Sequence, residues 1–215
     1  MMNHMPTSKK PSNKLFDKMR RGVEAVAYGN PLYQKILGSG AEAPNKLHFT
    51  LPDRWPGDAA AGRAYMSTQG ALFDRALPPH PAVALRNLRA VGTDAARSSA
   101  CDLIEQWLKL YDQWNEVEWA PDIMGERIAA WIGFYEFYAT AAPTSFIHNL
   151  TASLQRQYKH LARTVTPNLT GVGGLRAIKG LVLSALNFSE GDKTLGLACE
   201  LLNRLLKTEI LSDGG

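Results

Sequence analysis

From Pro81 to Leu211, apolar residues return every three or four positions, stripe after stripe, with a stop signal between stripes. That spacing is the period of a helix face and is incompatible with the strict alternation of a half-buried strand. It confines this part of the chain to packed helices. PAVALRNLRAV is the first. Thr93 then serves as an N-cap, with Asp94 and Ala95 in the first turn, and Ala96, Ala100, Ile104, Trp107, Leu108 and Tyr111 mark one face. The next helix opens PDIMGER with Pro121 at its first position and is predicted to reach about Thr140. Thr144 or Ser145 caps another, striped by Phe146, Leu150, Leu154, Tyr158 and Leu161. Leu175 to Ala185 and Leu195 to Leu205 form the last two. The stripes are wide, so each helix should pack on more than one neighbour. Helical hairpins in layers, either a bundle or a piece of a toroid, fit this pattern.

Upstream the texture differs. Residues 1–12 read as a disordered tail. Leu15, Met19 and Val23 recur at spacing four and predict a helix from Asn13 to about Ala27. NPLYQKIL predicts a second, with Asn30 as N-cap and Pro31 at its first position. Residues 38–82 are dotted with Pro and Gly and read as an extended arm lying on the main body. Within it, Leu47-His48-Phe49 is weakly strand-like. The expected organisation is therefore a tail (1–12), short helices and arm (13–82), and a helical body (83–215).

At 45% hydrophobic and 20% charged residues, 215 positions are enough to bury a substantial core. No apolar run is long enough to predict a transmembrane segment, and the basic N-terminus has no apolar stretch behind it that would make it a secretory signal. The compartment stays open between cytoplasm, the default, and periplasm. The net charge of +4 is unevenly spread. Residues 1–21 hold six Lys/Arg against one acid, Asp17, a net +5 that leaves the remainder near −1. A solvated leader or a polyanion-binding tail would each explain this. The near-neutral body argues against nucleic acid as a partner. Cys101 and Cys199 lie inside helical patterns and are expected to be buried free thiols.

Little in the sequence carries chemistry. The five histidines stand singly, without metal-ligand spacing. No dinucleotide or phosphate-loop motif occurs, GVGG at 171–174 being only a glycine cluster, so no cofactor or metal is implied. The informative stretch is APDIMGERIAAWIGFYEF. Arg127 and Trp131 are four residues apart and share a helix face. A guanidinium can fork onto a carboxylate or sulfate, and an indole can stack on a sugar's apolar face. The same pair can equally be a cation–π contact at the edge of the core.

The order of several short segments resembles a known family. DRWPGD (53–58) is followed by ALRNLRAVGTDAARSSACDLIEQWL (84–108), and by a W-x-PD-x4-R-x3-W run from Trp119 to Trp131. SLQRQYKHLART, LRAIKGLVLSAL and EILSDGG come after. Over about residues 45–215 this resembles the N-terminal part of bacterial heparinase II/III-like proteins. The resemblance implies an all-α fold, an incomplete (α/α) toroid, continued in the full protein by further helices and a β-sandwich. On this reading the terminal Asp-Gly-Gly is a cut through a longer protein. The implied chemistry is β-elimination in acidic, uronate-containing polysaccharide. One group neutralises the carboxylate, a Tyr or His removes the C5 proton, and an acid protonates the departing oxygen. Arg127 and Trp131 match the family's R-x3-W helix and are carried over as substrate-groove residues. No catalytic residue is carried over, because Val172 and Gly173 stand where an Asn-His pair would be expected. The competing expectation, favoured by that departure, is a non-catalytic helical scaffold with a protein or glycan partner.

Overall fold

The computed structural model describes residues 14–40, 42–68, 81–140, 142–188 and 191–209. The expected tail, the ALFDRALPPHP stretch up to His80 and the terminal Asp-Gly-Gly lie outside them. The described chain is all-helical, without a strand. In order the helices are α1 (Lys14–Tyr28), α2 (Pro31–Gly38), α3 (Ala59–Ser67), α4 (Pro81–Val91) and α5 (Asp94–Tyr111). They continue with α6 (Pro121–Gly133), α7 (Tyr135–Ala139), α8 (Thr144–Thr164), α9 (Gly171–Ala185) and α10 (Gly191–Glu209).

Local chemistry starts several of them. Asn30 Oδ1 accepts the Leu32 N–H at 2.8 Å, and Pro31 begins α2 where its missing N–H costs nothing. Thr93 Oγ1 accepts from Ala96 N at 3.2 Å. Pro121 opens α6 as expected. At α8 the helix begins on Thr144 after Pro143, and neither Thr144 nor Ser145 supplies the cap.

Three features depart from the sequence reading. The arm contains a helix, α3, capped by Asp58, whose Oδ1 accepts from Ala60 N and Ala61 N at 2.8 and 3.1 Å. The helix expected to reach Thr140 breaks at Gly133, with Phe134 as its cap. The Trp131 carbonyl at that break accepts from the buried Tyr138 hydroxyl at 2.7 Å, which satisfies an orphan acceptor. Cys199 is exposed, and Cys101, half-buried, is the thiol that sits inward.

α6 is the centre of the molecule. It packs on α4, α8 and α9, and Met124, Ile128, Trp131 and Ile132 bury almost completely. Its crossing with α9 is close enough to exclude any side chain. A Cβ on Gly180 would lie 2.4 Å from the Gly125 Cα, and one on Gly125 would lie 2.3 Å from the Arg176 carbonyl oxygen. α9 in turn packs on α8 and α10, while α2 lies on α8. There Lys159 Nζ donates to the Leu37 and Ser39 carbonyls at 3.0 and 2.5 Å.

One side chain holds the arm at residues 48–49. Asn187 Oδ1 accepts from His48 N and Phe49 N, both at 3.0 Å, and its Nδ2 donates to the Phe49 and Leu183 carbonyls, both at 2.9 Å. The weakly strand-like segment thus finds a side-chain amide in place of a neighbouring strand.

Candidate functional site

The two residues singled out by sequence are interior. Arg127 and Trp131 are each 1% exposed, so neither reaches a groove surface among the described residues. Both pack on Trp107. The Arg127 guanidinium lies 3.9 Å from the Trp107 ring centroid, and Trp131 meets Trp107 edge-on at 5.2 Å. Arg127 donates to Glu118 Oε2 and Gln157 Oε1, both at 3.0 Å, and Trp107 Nε1 donates to the same Glu118 oxygen at 2.8 Å. The chain of polar contacts continues through Gln157 to Ser153, at 3.0 Å, and on to Asp112, which pairs with Arg156. Burial pushes Arg127 down to about 9, against the opposing pull of Glu118 and Asp112, and the guanidinium stays charged at neutral pH. This is a core network joining α5, α6 and α8.

The opposite flank of α6 floors a cleft of about 580 Å³ between the arm, α4 and α9. Ala129, Ala130 and Gly133 keep the floor low. The wall is the turn Pro52-Asp53-Arg54-Trp55-Pro56. Asp53 Oδ1 accepts the Trp55 N–H at 2.8 Å, and its other oxygen accepts from Arg86 at 2.7 Å. Arg89 donates to the Asp53 carbonyl and, at 2.7 Å, to the Trp55 carbonyl. Burial opposes ionisation of Asp53, but the hydrogen bonds from Arg86 and the Trp55 N–H, with the charges of Arg86 and Arg89, hold its carboxyl below the ordinary range. The backbone of Trp55 is therefore clamped from α4 while its indole is 73% exposed.

Three cations line the cleft: Arg54, Arg86 and Lys179. Arg54 and Lys179 are exposed and have no ion-pair partner among the described residues. Arg86 spends one nitrogen on Asp53, and its buried Nε has no hydrogen-bond partner. The acids are already engaged, Asp53 by Arg86 and Glu126 by Arg176 at 2.6 Å. A rigid indole beside spare guanidinium and ammonium donors can hold an anionic ring. Among the described residues the lining has no Tyr or His to act as a base. Val172 and Gly173 lie in the first turn of α9, about 9 Å along the axis from Lys179. A second depression, near Asp112 and Arg156, offers less, because its charges are already paired.

Sequence reasoning missed Trp55 as a site residue. The signal was present in DRWPGD: a Trp flanked closely by prolines, with no periodic neighbours, has no helix face to enter.

Among the described residues no group of His, Cys, Asp or Glu could hold a metal ion, and no helix is long and apolar enough to cross a membrane. No protein-family profile and no solved structure matches the chain. The chain is similar to FtsZ-localized protein C of Caulobacter vibrioides (strain NA1000 / CB15N), 28% identical over 226 residues that include 91% of this chain and 38% of that protein. It thus spans well under half the length of this curated relative.

Proposed function

We propose that this chain is the glycan-holding helical part of a polysaccharide lyase of the heparinase II/III-like type, an incomplete (α/α) toroid that binds acidic polysaccharide and does not cleave it unaided. One observation carries the reading: the exposed Trp55 indole, clamped by its backbone beside Arg54, Arg86 and Lys179 in an open cleft. The indole suits the apolar face of a sugar ring, and the cations suit its carboxylate or sulfate. Arg127 and Trp131 support this site from beneath, as the packing that fixes α6. The base and neutraliser that elimination needs would come from parts of a longer protein.

The test is titration calorimetry with a uronate oligosaccharide and with a neutral glucan oligomer of equal length. The acidic ligand should bind and the neutral one should not. Trp55→Ala, and separately the pair Arg54→Gln with Lys179→Gln, should each weaken binding about tenfold or more without moving Tm. Binding that ignores Trp55→Ala, as attraction to the basic N-terminal residues would, sinks the proposal.

The similarity to FtsZ-localized protein C favours a second reading, a non-catalytic scaffold whose partner is a protein. Co-sedimentation with FtsZ polymers separates the two. Capture of the chain by the polymers, with no glycan binding at the cleft, would put the scaffold reading first.

A further inference from the structure

α1 carries an apolar stripe that no described residue covers. Met19, Val23 and Val26 are 64, 68 and 78% exposed, large values for aliphatic side chains aligned on one helix face. At about 100° per residue, Met19, Gly22, Val23 and Val26 fall within roughly a quarter to a third of the helix circumference. No charged residue falls in that arc. A Cβ on Gly22 would meet nothing within 4 Å, so among the described residues the face between Met19 and Val26 is uncovered. The helix packs against α2 and is fastened at its end. Tyr28 packs on Tyr33, Trp114 and His160, with ring centroids 4.9, 6.2 and 5.0 Å away. Gly29 closes the helix where a Cβ would strike the Ala25 carbonyl oxygen at 2.5 Å.

Charge tells what could cover such a stripe. Residues 1–28 contain six Lys/Arg and two acids, a net +4, while residues 29–215 contain 18 of each sign. The entire net charge of the chain therefore sits on and just before this helix. An uncharged aliphatic stripe in a segment whose sequence is rich in basic residues matches the physics of a helix lying in the plane of an anionic lipid surface. The apolar side chains enter the acyl boundary, and the basic ones meet the headgroups.

We propose that α1 docks the protein onto a negatively charged membrane surface, its Met19–Val23–Val26 stripe immersed and its basic residues on the phosphates. Tyr28 then fixes the orientation of the helical body above the bilayer. This site is separate from the Trp55 cleft.

The experiment is co-sedimentation of the 215-residue chain with sucrose-loaded vesicles. One set is phosphatidylcholine alone, and the other carries about 30% phosphatidylglycerol, within the range where surface potential attracts basic segments. The chain should pellet with the anionic vesicles and stay in the supernatant with the neutral ones. Raising salt to about 0.5 M should weaken binding severalfold. The double substitution Val23→Glu, Val26→Glu should reduce binding about tenfold or more with Tm and helical circular dichroism unchanged, since both side chains are exposed. Failure to pellet with anionic vesicles overturns the proposal. So does pelleting that the double variant retains. A dimer of the wild-type chain that the double variant dissociates would assign the stripe to a second copy and overturn it as well.

Discussion

Arg127 is where sequence chemistry and structural role diverge most. Its guanidinium is fully buried, with Glu118, Gln157 and the Trp107 ring around it. Truncation would leave the Glu118 carboxylate and the Gln157 amide without their partner. Arg127→Ala should therefore destabilise the fold by about 3–5 kcal/mol, read by denaturant titration. Arg127→Lys should recover little, because an ammonium cannot serve Gln157, Glu118 and an aromatic face together. His160 offers a second check at this scale. Tyr28, Tyr33 and Trp119 surround its ring, Tyr33 with its hydroxyl 2.8 Å from Nδ1. Burial, aided by the Arg163 charge, pushes its pKa down to about 4. Burial likewise lifts Tyr33 to about 12, so both groups are neutral at pH 7. The unfolded chain takes up the His160 proton first, near pH 6.5, so its share of stability is complete above that value and lost as pH falls toward 4. The loss is on the order of 3 kcal/mol at most. Tm measured from pH 7 to 4.5 should fall, and His160→Gln should flatten part of that slope.

At the scale of elements, legibility followed locality. The starts of α2, α5 and α6 were readable because each depends on a residue beside it: Asn30 and Pro31, Thr93, Pro121. α3 had an equally local signal in Asp58 followed by three alanines, masked by the surrounding Pro and Gly. The break after Gly133 was not readable. The Tyr138 hydroxyl satisfies the Trp131 carbonyl left by the break, and the Leu51 carbonyl of the arm would lie 3.2 Å from a Cβ on Gly133; neither contact shows in the helical spacing. The face carrying Arg127 and Trp131 was correctly placed on one helix, yet spacing cannot say whether a face meets solvent or the Glu118 carboxylate. Trp55 went unrecognised because its exposure comes from the Arg86 and Arg89 clamp, more than thirty residues away in sequence. Two element-scale substitutions test these contacts. Gly180→Ala would force α6 and α9 apart and should cost about 1–3 kcal/mol or more. Asn187→Asp keeps the shape but places a carboxylate against the Phe49 and Leu183 carbonyls. It should free the arm, seen as faster proteolysis near residues 45–52 with the helical signal retained.

The whole molecule divides into a tightly packed centre and appendages held by few groups. α6 and α8 have neighbours on several sides, while among the described residues α1 touches little beyond α2 and the Tyr28 cluster. Hydrogen exchange should grade accordingly, slowest in α6 and α8 and fastest in α1 and the 42–57 segment. Equal protection across all ten helices would contradict this division. The two proposed binding features fall on different parts of it. The cleft rests on α6, so its floor belongs to the packed centre, whereas the basic helix meets the body through α2 and the Tyr28 cluster. The contact of Gly125 with Gly180 has a further consequence for how such a chain can drift over time. Each position excludes every side chain as long as the other helix stays where it is. No single codon change at either can be compensated at the other, because neither residue can become smaller. The two positions therefore behave as a closed door in sequence space. A lineage can pass it only by first moving α6 and α9 apart, and with them the floor and one wall of the cleft.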